Sequence, residues 1–326
     1  MTPLTPSQVT ALTSAIPGVL QHEPMAKHTN FRIGGPARLY VTLGTAEAII
    51  QAVQAAEAAG VPWAIFGGGS NILVADEGYE GLVIQSALRN LSIDGERVNV
   101  GSGAITALTA RKAADAGLTG FEWAIGVPGT IGGALYGNAG CYGGEIKDVV
   151  ESVDAYRLSD GMRATYTNAD CRFEYRGSRF KYERHLLFGC TLRLTAGDAA
   201  AAKKRIQEVI EIRKEKQPLD SASAGCAFKN FEFDDLSAVA HLQSLVDVPE
   251  AMLTAKRISA GWLVEKAGLM GMSVGNVRVS DKHGNFLIQT SGATARDVLA
   301  LMRNVQEVVH KRFGIELQEE VQLLGF

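Results

Sequence analysis

Between Leu39 and Gln85 short apolar runs alternate with polar or glycine-containing turns, the pattern of several strands interrupted by one helix. Leu39–Leu43, Trp63–Phe66, Ile72–Val74 and Leu82–Gln85 read as strands. After Thr45 the apolar residues recur at helical spacing, with Ile49 and Val53 among alanines; Thr45 supplies an N-cap and Gly60 a C-terminal stop. A second run of elements starts with strand Arg97–Val100 and a helix over Ile105–Ala116 stopped by Gly117. It resumes beyond a glycine-rich stretch with strands Asp154–Leu158 and Leu186–Leu194. The character changes after Gly197-Asp198. Ala199–Lys216 reads as a charged helix anchored by Val209, Ile210 and Ile212, broken at Gln217-Pro218. The last helix has Thr294 and Asp297 in a capping-box arrangement, Val298, Leu301, Met302, Val305, Val308 and Val309 on one face, and Gly314 as its stop before a short final strand. This mixture predicts an α+β protein. Its first domain covers residues 1–197, in lobes of about 20–85 and 86–197, and its second covers 198–326, the final strand being open to either domain.

Composition narrows the partners. The chain of 326 residues is 46% hydrophobic and 21% charged, which excludes a largely disordered protein. Its 32 Lys and Arg against 35 Asp and Glu leave a net charge of −3, so no electrostatic footprint for nucleic acid or an anionic membrane exists. The first lysine is Lys27, behind Pro3, Pro6 and Pro17, so the N-terminal stretch lacks the basic and apolar regions of a signal peptide. No apolar run approaches the roughly 18 residues needed to span a bilayer. A cytoplasmic protein is expected. Cys141, Cys171, Cys190 and Cys226 are scattered without metal or disulfide spacing, and none of the six histidines joins a ligand constellation, so no metal is expected.

Glycine changes the picture. There are 36, about 11% of the chain against an average near 7%. Gly67-Gly68-Gly69-Ser70-Asn71 lies between two expected strands, where backbone N–H groups can converge on an anion; a plain glycine turn explains it equally well. Eight more glycines fall between Gly126 and Gly144, including Gly126-Val127-Pro128-Gly129-Thr130-Ile131-Gly132-Gly133. So many weaken local structure unless something approaches the backbone closely, as a planar or pyrophosphate ligand does. Neither stretch fits the dinucleotide fingerprint or the P-loop.

These two stretches occur with Thr29-Asn30-Phe31-Arg32-Ile33-Gly34-Gly35, Tyr175-Arg176-Gly177-Ser178-Arg179-Phe180-Lys181, Gly225-Cys226-Ala227-Phe228-Lys229-Asn230 and Glu319-Glu320-Val321. In that order, over nearly the whole chain, the six motifs resemble the UDP-N-acetylenolpyruvoylglucosamine reductase family. The resemblance implies a flavoenzyme of peptidoglycan precursor synthesis with a two-lobed FAD-binding domain of the vanillyl-alcohol-oxidase type and an α+β substrate domain. Its implied reaction takes hydride from NADPH to non-covalent FAD and on to the enolpyruvyl double bond of UDP-N-acetylglucosamine enolpyruvate, yielding UDP-N-acetylmuramate. Lacking the tyrosine-bearing insertion of type I enzymes, the chain resembles type II.

By the resemblance, Gly67, Gly68, Gly69, Ser70, Asn71, Gly126, Pro128, Gly129, Thr130, Gly132, Gly133 and Asn138 face the cofactor. Arg176 holds the enolpyruvyl carboxylate, for which a planar guanidinium fork is suited. Glu320 assists the developing enol or its protonation. Cys226 stands where many members carry the proton-donating serine; a thiol is a stronger acid than an alcohol and a workable substitute. Phe231 replaces a usual proline. Lys216 is placed near the substrate diphosphate, and Tyr175, Ser178, Lys181, Lys229 and Asn230 are secondary substrate or active-site positions. Two other readings compete: an FAD-dependent oxidase of the same superfamily, which does not require the arginine, thiol and glutamate together, and a non-catalytic nucleotide-binding module, which would be expected to have lost one of them.

Overall fold

The computed structural model describes residues 2–326. By contact the chain divides into two units, the first made of the residues up to Glu23, Pro36–Gly69 and Tyr79–Arg213, the second of Pro24–Gly35, Ser70–Gly78 and Lys214–Phe326.

The first unit is built on two sheets. Pro36–Leu43 and Trp63–Phe66 run parallel to Tyr79–Ser86, which lies between them, with Leu20–Pro24 on the outer edge of Pro36–Leu43. Tyr79–Ser86 is buried over most of its length, as a strand with parallel neighbours on both sides requires. The helix Ala46–Ala58 starts at Thr45, whose side chain accepts from Ala48 N–H, and Gly60 follows its end at φ +63°. Ile49, Ala52, Val53 and Ala56 on its inner face pack with Leu39, Val41, Leu82 and Ile84 of the sheet. The other sheet has five antiparallel strands in the order Met162–Thr167, Val150–Arg157, His185–Arg193, Arg97–Gly101, Leu91–Asp94. The outermost two of these strands, and the helix Pro6–Ala15 with its Thr5/Gln8 capping box, have no counterpart in the sequence pattern described above.

The character of the sequence changes near residue 197, whereas the contacts divide the chain at Arg213. Helix Ala199–Lys216 has the expected bounds, but its buried face is Ala202, Ile206 and Val209, clustered with Ala114 and Ile125 of the first unit. Of the expected anchors only Val209 is fully buried; Ile210 and Ile212 are half-buried.

The second unit is organised by the helix Ala295–Phe313. The Thr294/Asp297 capping box forms, Gly314 ends the helix at φ +71°, and Val298, Leu301, Met302, Val305 and Val309 are buried in a core with Phe228, Leu263, Val264, Val277 and Val279. Each such side chain contributes roughly 1.5–3 kcal/mol on leaving water. Two excursions from the N-terminal half complete this unit. The final strand Gln322–Leu324 pairs in parallel with Ile72–Val74. Asp76 accepts from the N–H groups of Ala295 and Arg296 at 2.7 and 3.1 Å, and Glu77 ion-pairs with Arg296, tying segment 70–78 to the start of the long helix. Gly35 donates to Ala75 O at 2.8 Å. A Cβ there would collide with the Asp76 carbonyl, so the Gly34-Gly35 pair is required by close chain packing.

Among the described residues no helix is long and apolar enough to cross a membrane.

Candidate active site

In the first unit the two glycine stretches meet. A Cβ on Gly67 would collide with Thr130 Oγ1, and one on Gly68 would sit 2.9 Å from Gly129 Cα. Gln85 Nε2 fixes the Gly67 carbonyl at 3.1 Å. Gly69 and Gly129 take φ of +61° and +95°, conformations that side chains disfavour. Gly68, Pro128 and Gly133 are exposed on this joined surface, and a Cβ on Gly133 would meet nothing nearer than Thr130 Oγ1 at 3.9 Å. Other glycines answer to the protein itself. Gly132 donates to Ser102 O at 2.8 Å and packs on Ser102, while Gly126 lies under Cys141 and Tyr142.

Asn138, expected to face the cofactor, spends its side-chain amide inside the protein. It is fully buried, with a left-handed backbone at φ +42°. Its Nδ2 donates to Glu145 Oε2 at 3.0 Å and Glu174 O at 2.8 Å, and its Oδ1 accepts from Lys147 N–H at 3.2 Å. Both its donors and its acceptor oxygen are used within the protein, so it organises the site from behind.

The carbonyl of Glu174 that Asn138 holds begins the turn carrying Arg176. Glu174 and Gly177 exchange backbone hydrogen bonds at 3.1 Å each way, leaving Tyr175-Arg176 as a two-residue tip. Arg176 sits at φ +54°, a conformation costing a non-glycine residue about 1–2 kcal/mol. Its carbonyl accepts from Lys181 Nζ at 3.1 Å, its Nη2 donates to Gly140 O at 3.3 Å, and its guanidinium lies 5.1 Å from the Tyr175 ring centroid. Ser178, fully buried, donates to Tyr136 O at 2.8 Å. Lys181 and Ser178 therefore brace the turn.

In the second unit Cys226 and Glu320 lie on neighbouring stretches of chain. Glu320 N–H donates to Ala227 O, and Lys229 N–H to Gln318 O, both at 2.8 Å, around a bridge between Phe228 and Glu319. On the other side Cys226 bridges to Phe286, and Asn285 clamps Phe228: its Oδ1 accepts from Phe228 N–H and its Nδ2 donates to Phe228 O, each at 2.8 Å. Gly225 enters the segment at φ +81°. Asn71 Nδ2 and Gln322 Nε2 both donate to Glu320 O, at 3.0 and 3.1 Å. Lys229 Nζ reaches Gln318 Oε1 at 3.4 Å, and Asn230 Oδ1 accepts from Ala260 N–H at 3.1 Å, so part of the chemistry of both is structural. Lys216 is exposed at the C-terminal end of its helix, where a cation is favoured in any case. The glycine surface, Asn138 and Arg176 thus belong to the first unit, and Ser70, Asn71, Cys226, Lys229, Asn230 and Glu320 to the second.

Asn285 and Gln322 were absent from the sequence reading. Neither lies in a quoted motif, although Gln322 is two residues beyond Glu320. All four cysteines are thiols. Burial pushes Cys141 up to about 11 and Cys171 to about 12, and raises Cys190 as well, so these three stay protonated and unreactive at neutral pH. No group of His, Cys, Asp and Glu among the described residues is arranged to hold a metal ion.

Two family models match the chain: a FAD binding domain over residues 37–165, and the C-terminal domain of UDP-N-acetylenolpyruvoylglucosamine reductase over residues 217–324. The UDP-N-acetylenolpyruvoylglucosamine reductase of Agathobacter rectalis is 38% identical over 97% of this chain and 98% of its own. That of Caldanaerobacter subterraneus subsp. tengcongensis is 37% identical over 93% of each. The crystal structure of the Thermus caldophilus enzyme superposes with a TM-score of 0.73 at 32% identity, covering 94% of this chain and 98% of that one. The joined glycine surface suits a flavin dinucleotide: Gly68 and Gly133 leave backbone exposed without side chains, as close approach of an extended pyrophosphate requires.

Proposed function

Because the chain belongs to the UDP-N-acetylenolpyruvoylglucosamine reductase family and is an FAD-dependent oxidoreductase, we propose that it reduces the enolpyruvyl group of UDP-N-acetylglucosamine enolpyruvate with NADPH, giving UDP-N-acetylmuramate for peptidoglycan. Gly67, Gly68, Gly69, Gly129, Thr130 and Gly133 would hold the cofactor, with Gly126 and Gly132 shaping the surface from beneath. When bound, FAD supplies the hydride chemistry.

The protein's own residues account for the rest. Saturating the double bond places a hydride on one carbon and a proton on the other, and negative charge spreads toward the carboxylate as the first arrives. Arg176 binds that carboxylate through its guanidinium fork, stabilising the charge where it develops. Cys226 gives its thiol proton to the other carbon and is reprotonated from water. Glu320 assists the enol or its protonation, and Lys229, Tyr175 and Lys216 contribute to holding the substrate.

The observation that supports this reading most is the 2.8 Å hydrogen bond from Glu320 N–H to Ala227 O, which sets the carboxylate-bearing and thiol-bearing residues on adjacent stretches of chain. An anaerobic visible spectrum tests the reading. NADPH should bleach the flavin band, and UDP-N-acetylglucosamine enolpyruvate should restore it without oxygen; a band that recovers only with oxygen would make the protein an oxidase and withdraw these roles.

A further inference from the structure

Every backbone hydrogen-bonding group of Glu320 is held, and each bond comes from a different place. Its N–H donates to Ala227 O at 2.8 Å, and its carbonyl accepts from Asn71 Nδ2 at 3.0 Å and Gln322 Nε2 at 3.1 Å. Asn71 is 249 residues away along the chain. The same two residues are joined by backbone, Gln322 N–H donating to Asn71 O at 3.0 Å, so the amides that reach Glu320 are themselves fixed.

Stability alone does not call for this arrangement. Glu320 is half-buried, and its carbonyl has two part-buried donors, so removing either one still leaves that oxygen hydrogen-bonded and costs little. Two side-chain amides converging on one such oxygen give a small energetic return and a large geometric one. With both sides of the residue tethered, rotation about its backbone is blocked and the Cα–Cβ direction of Glu320 is set.

We infer that Asn71 and Gln322 are positioning residues for Glu320, holding its backbone so that the carboxylate keeps one orientation during substrate reduction. This rests on the proposed role of Glu320. It also gives Asn71 a task apart from the cofactor contact expected of a residue next to the glycine turn.

The test is a double-mutant cycle on the FAD-loaded, full-length enzyme, reading the rate at which NADPH-reduced flavin is reoxidised anaerobically by UDP-N-acetylglucosamine enolpyruvate. Gln322→Met keeps shape and backbone pairing and removes the side-chain amide; Asn71→Ala removes the other. We expect Gln322→Met to slow this half-reaction about threefold and Asn71→Ala about tenfold. In a Glu320→Gln background Gln322→Met should change the rate by less than about twofold and Asn71→Ala by clearly less than its roughly tenfold, because the part of each effect that acts through the Glu320 carboxylate is lost once that carboxylate is gone. FAD affinity of the Gln322→Met protein, measured by flavin fluorescence, should stay within about twofold of the parent. The inference is overturned if both substitutions leave the rate unchanged with Glu320 present, or if their full effects persist in the Glu320→Gln background. If Glu320→Gln alone leaves the half-reaction at the parent rate, the role of Glu320 fails, and the inference with it; that outcome is read from the single variant.

Discussion

The side-chain amide of Asn138 donates to the carbonyl of Glu174 at 2.8 Å across 36 residues of sequence, and that carbonyl opens the turn whose tip is Arg176. An internal asparagine thus carries the position of the residue proposed to bind the substrate carboxylate. Asn138→Ala should destabilise the protein by about 3 kcal/mol, three part-buried hydrogen bonds at about 1 kcal/mol each. Asn138→Gly should cost about 1 kcal/mol less, since glycine accepts the left-handed backbone without strain. Urea midpoints compare them, and equal losses would show that φ +42° carries no strain. In both variants KM for the enolpyruvyl substrate should rise.

Cys226 is expected to behave as an exchangeable acid. Cys226→Ser should keep substantial turnover. Cys226→Ala should leave flavin reduction by NADPH nearly intact and slow the substrate half-reaction about a hundredfold. Stopped-flow of the two half-reactions separates these, and an alanine variant reoxidised by substrate as fast as the parent removes Cys226 as proton donor.

The contact between the glycine loops can be probed by adding one carbon. Gly67→Ala drives a Cβ into Thr130 Oγ1. Overpacking of this kind costs about 1–3 kcal/mol, so the melting temperature and the flavin content of purified protein should both fall. Adding Thr130→Gly should recover part of each. Lack of recovery would mean that the loops yield elsewhere.

His283 gives the second unit a pH dependence. Burial holds its imidazole below the ordinary 6.5, against its own backbone hydrogen bond and the charge of Glu265, which act in the other direction; its Nδ1 accepts from the N–H of Asn285, the residue that clamps Phe228. The unfolded chain takes up a proton as pH falls through about 6.5 while the folded protein resists it. The contribution of His283 is therefore complete above that value and is lost on acidification toward the depressed folded pKa. Between pH 7.5 and 5.5 the parent should lose more stability than His283→Gln, measured as urea midpoints of each.

What the sequence disclosed was local. The Thr45 and Thr294 caps, the stops at Gly60, Gly117 and Gly314, and the strands Trp63–Phe66 and Ile72–Val74 follow from residues within a few positions of one another. The glycine stretches were legible as close-approach surfaces, but not the identity of what approaches: Gly67 is required by Thr130 and Gly132 by Ser102, whereas Gly133 is left open. Asn138 was expected at the cofactor by the resemblance alone, and only the distant Glu174 shows what its buried amide holds. Asn285 and Gln322 escaped notice for a related reason. Their bonds to Phe228 and Glu320 are made after tertiary folding, and nothing at an isolated amide residue marks which backbone it will hold.

The parallel pairing of Ile72–Val74 with Gln322–Leu324 also bears on how the molecule is made. A ribosome releases the first strand long before it reaches the second. During most of synthesis the stretch just beyond the Gly67–Gly69 turn has no sheet partner, and Asp76 has no helix start to cap. The second unit therefore cannot be completed as the chain emerges. It closes only when its C-terminal residues come back to a segment that has waited since early in translation, which makes the nascent protein dependent on keeping the apolar Ile72-Leu73-Val74 from premature association.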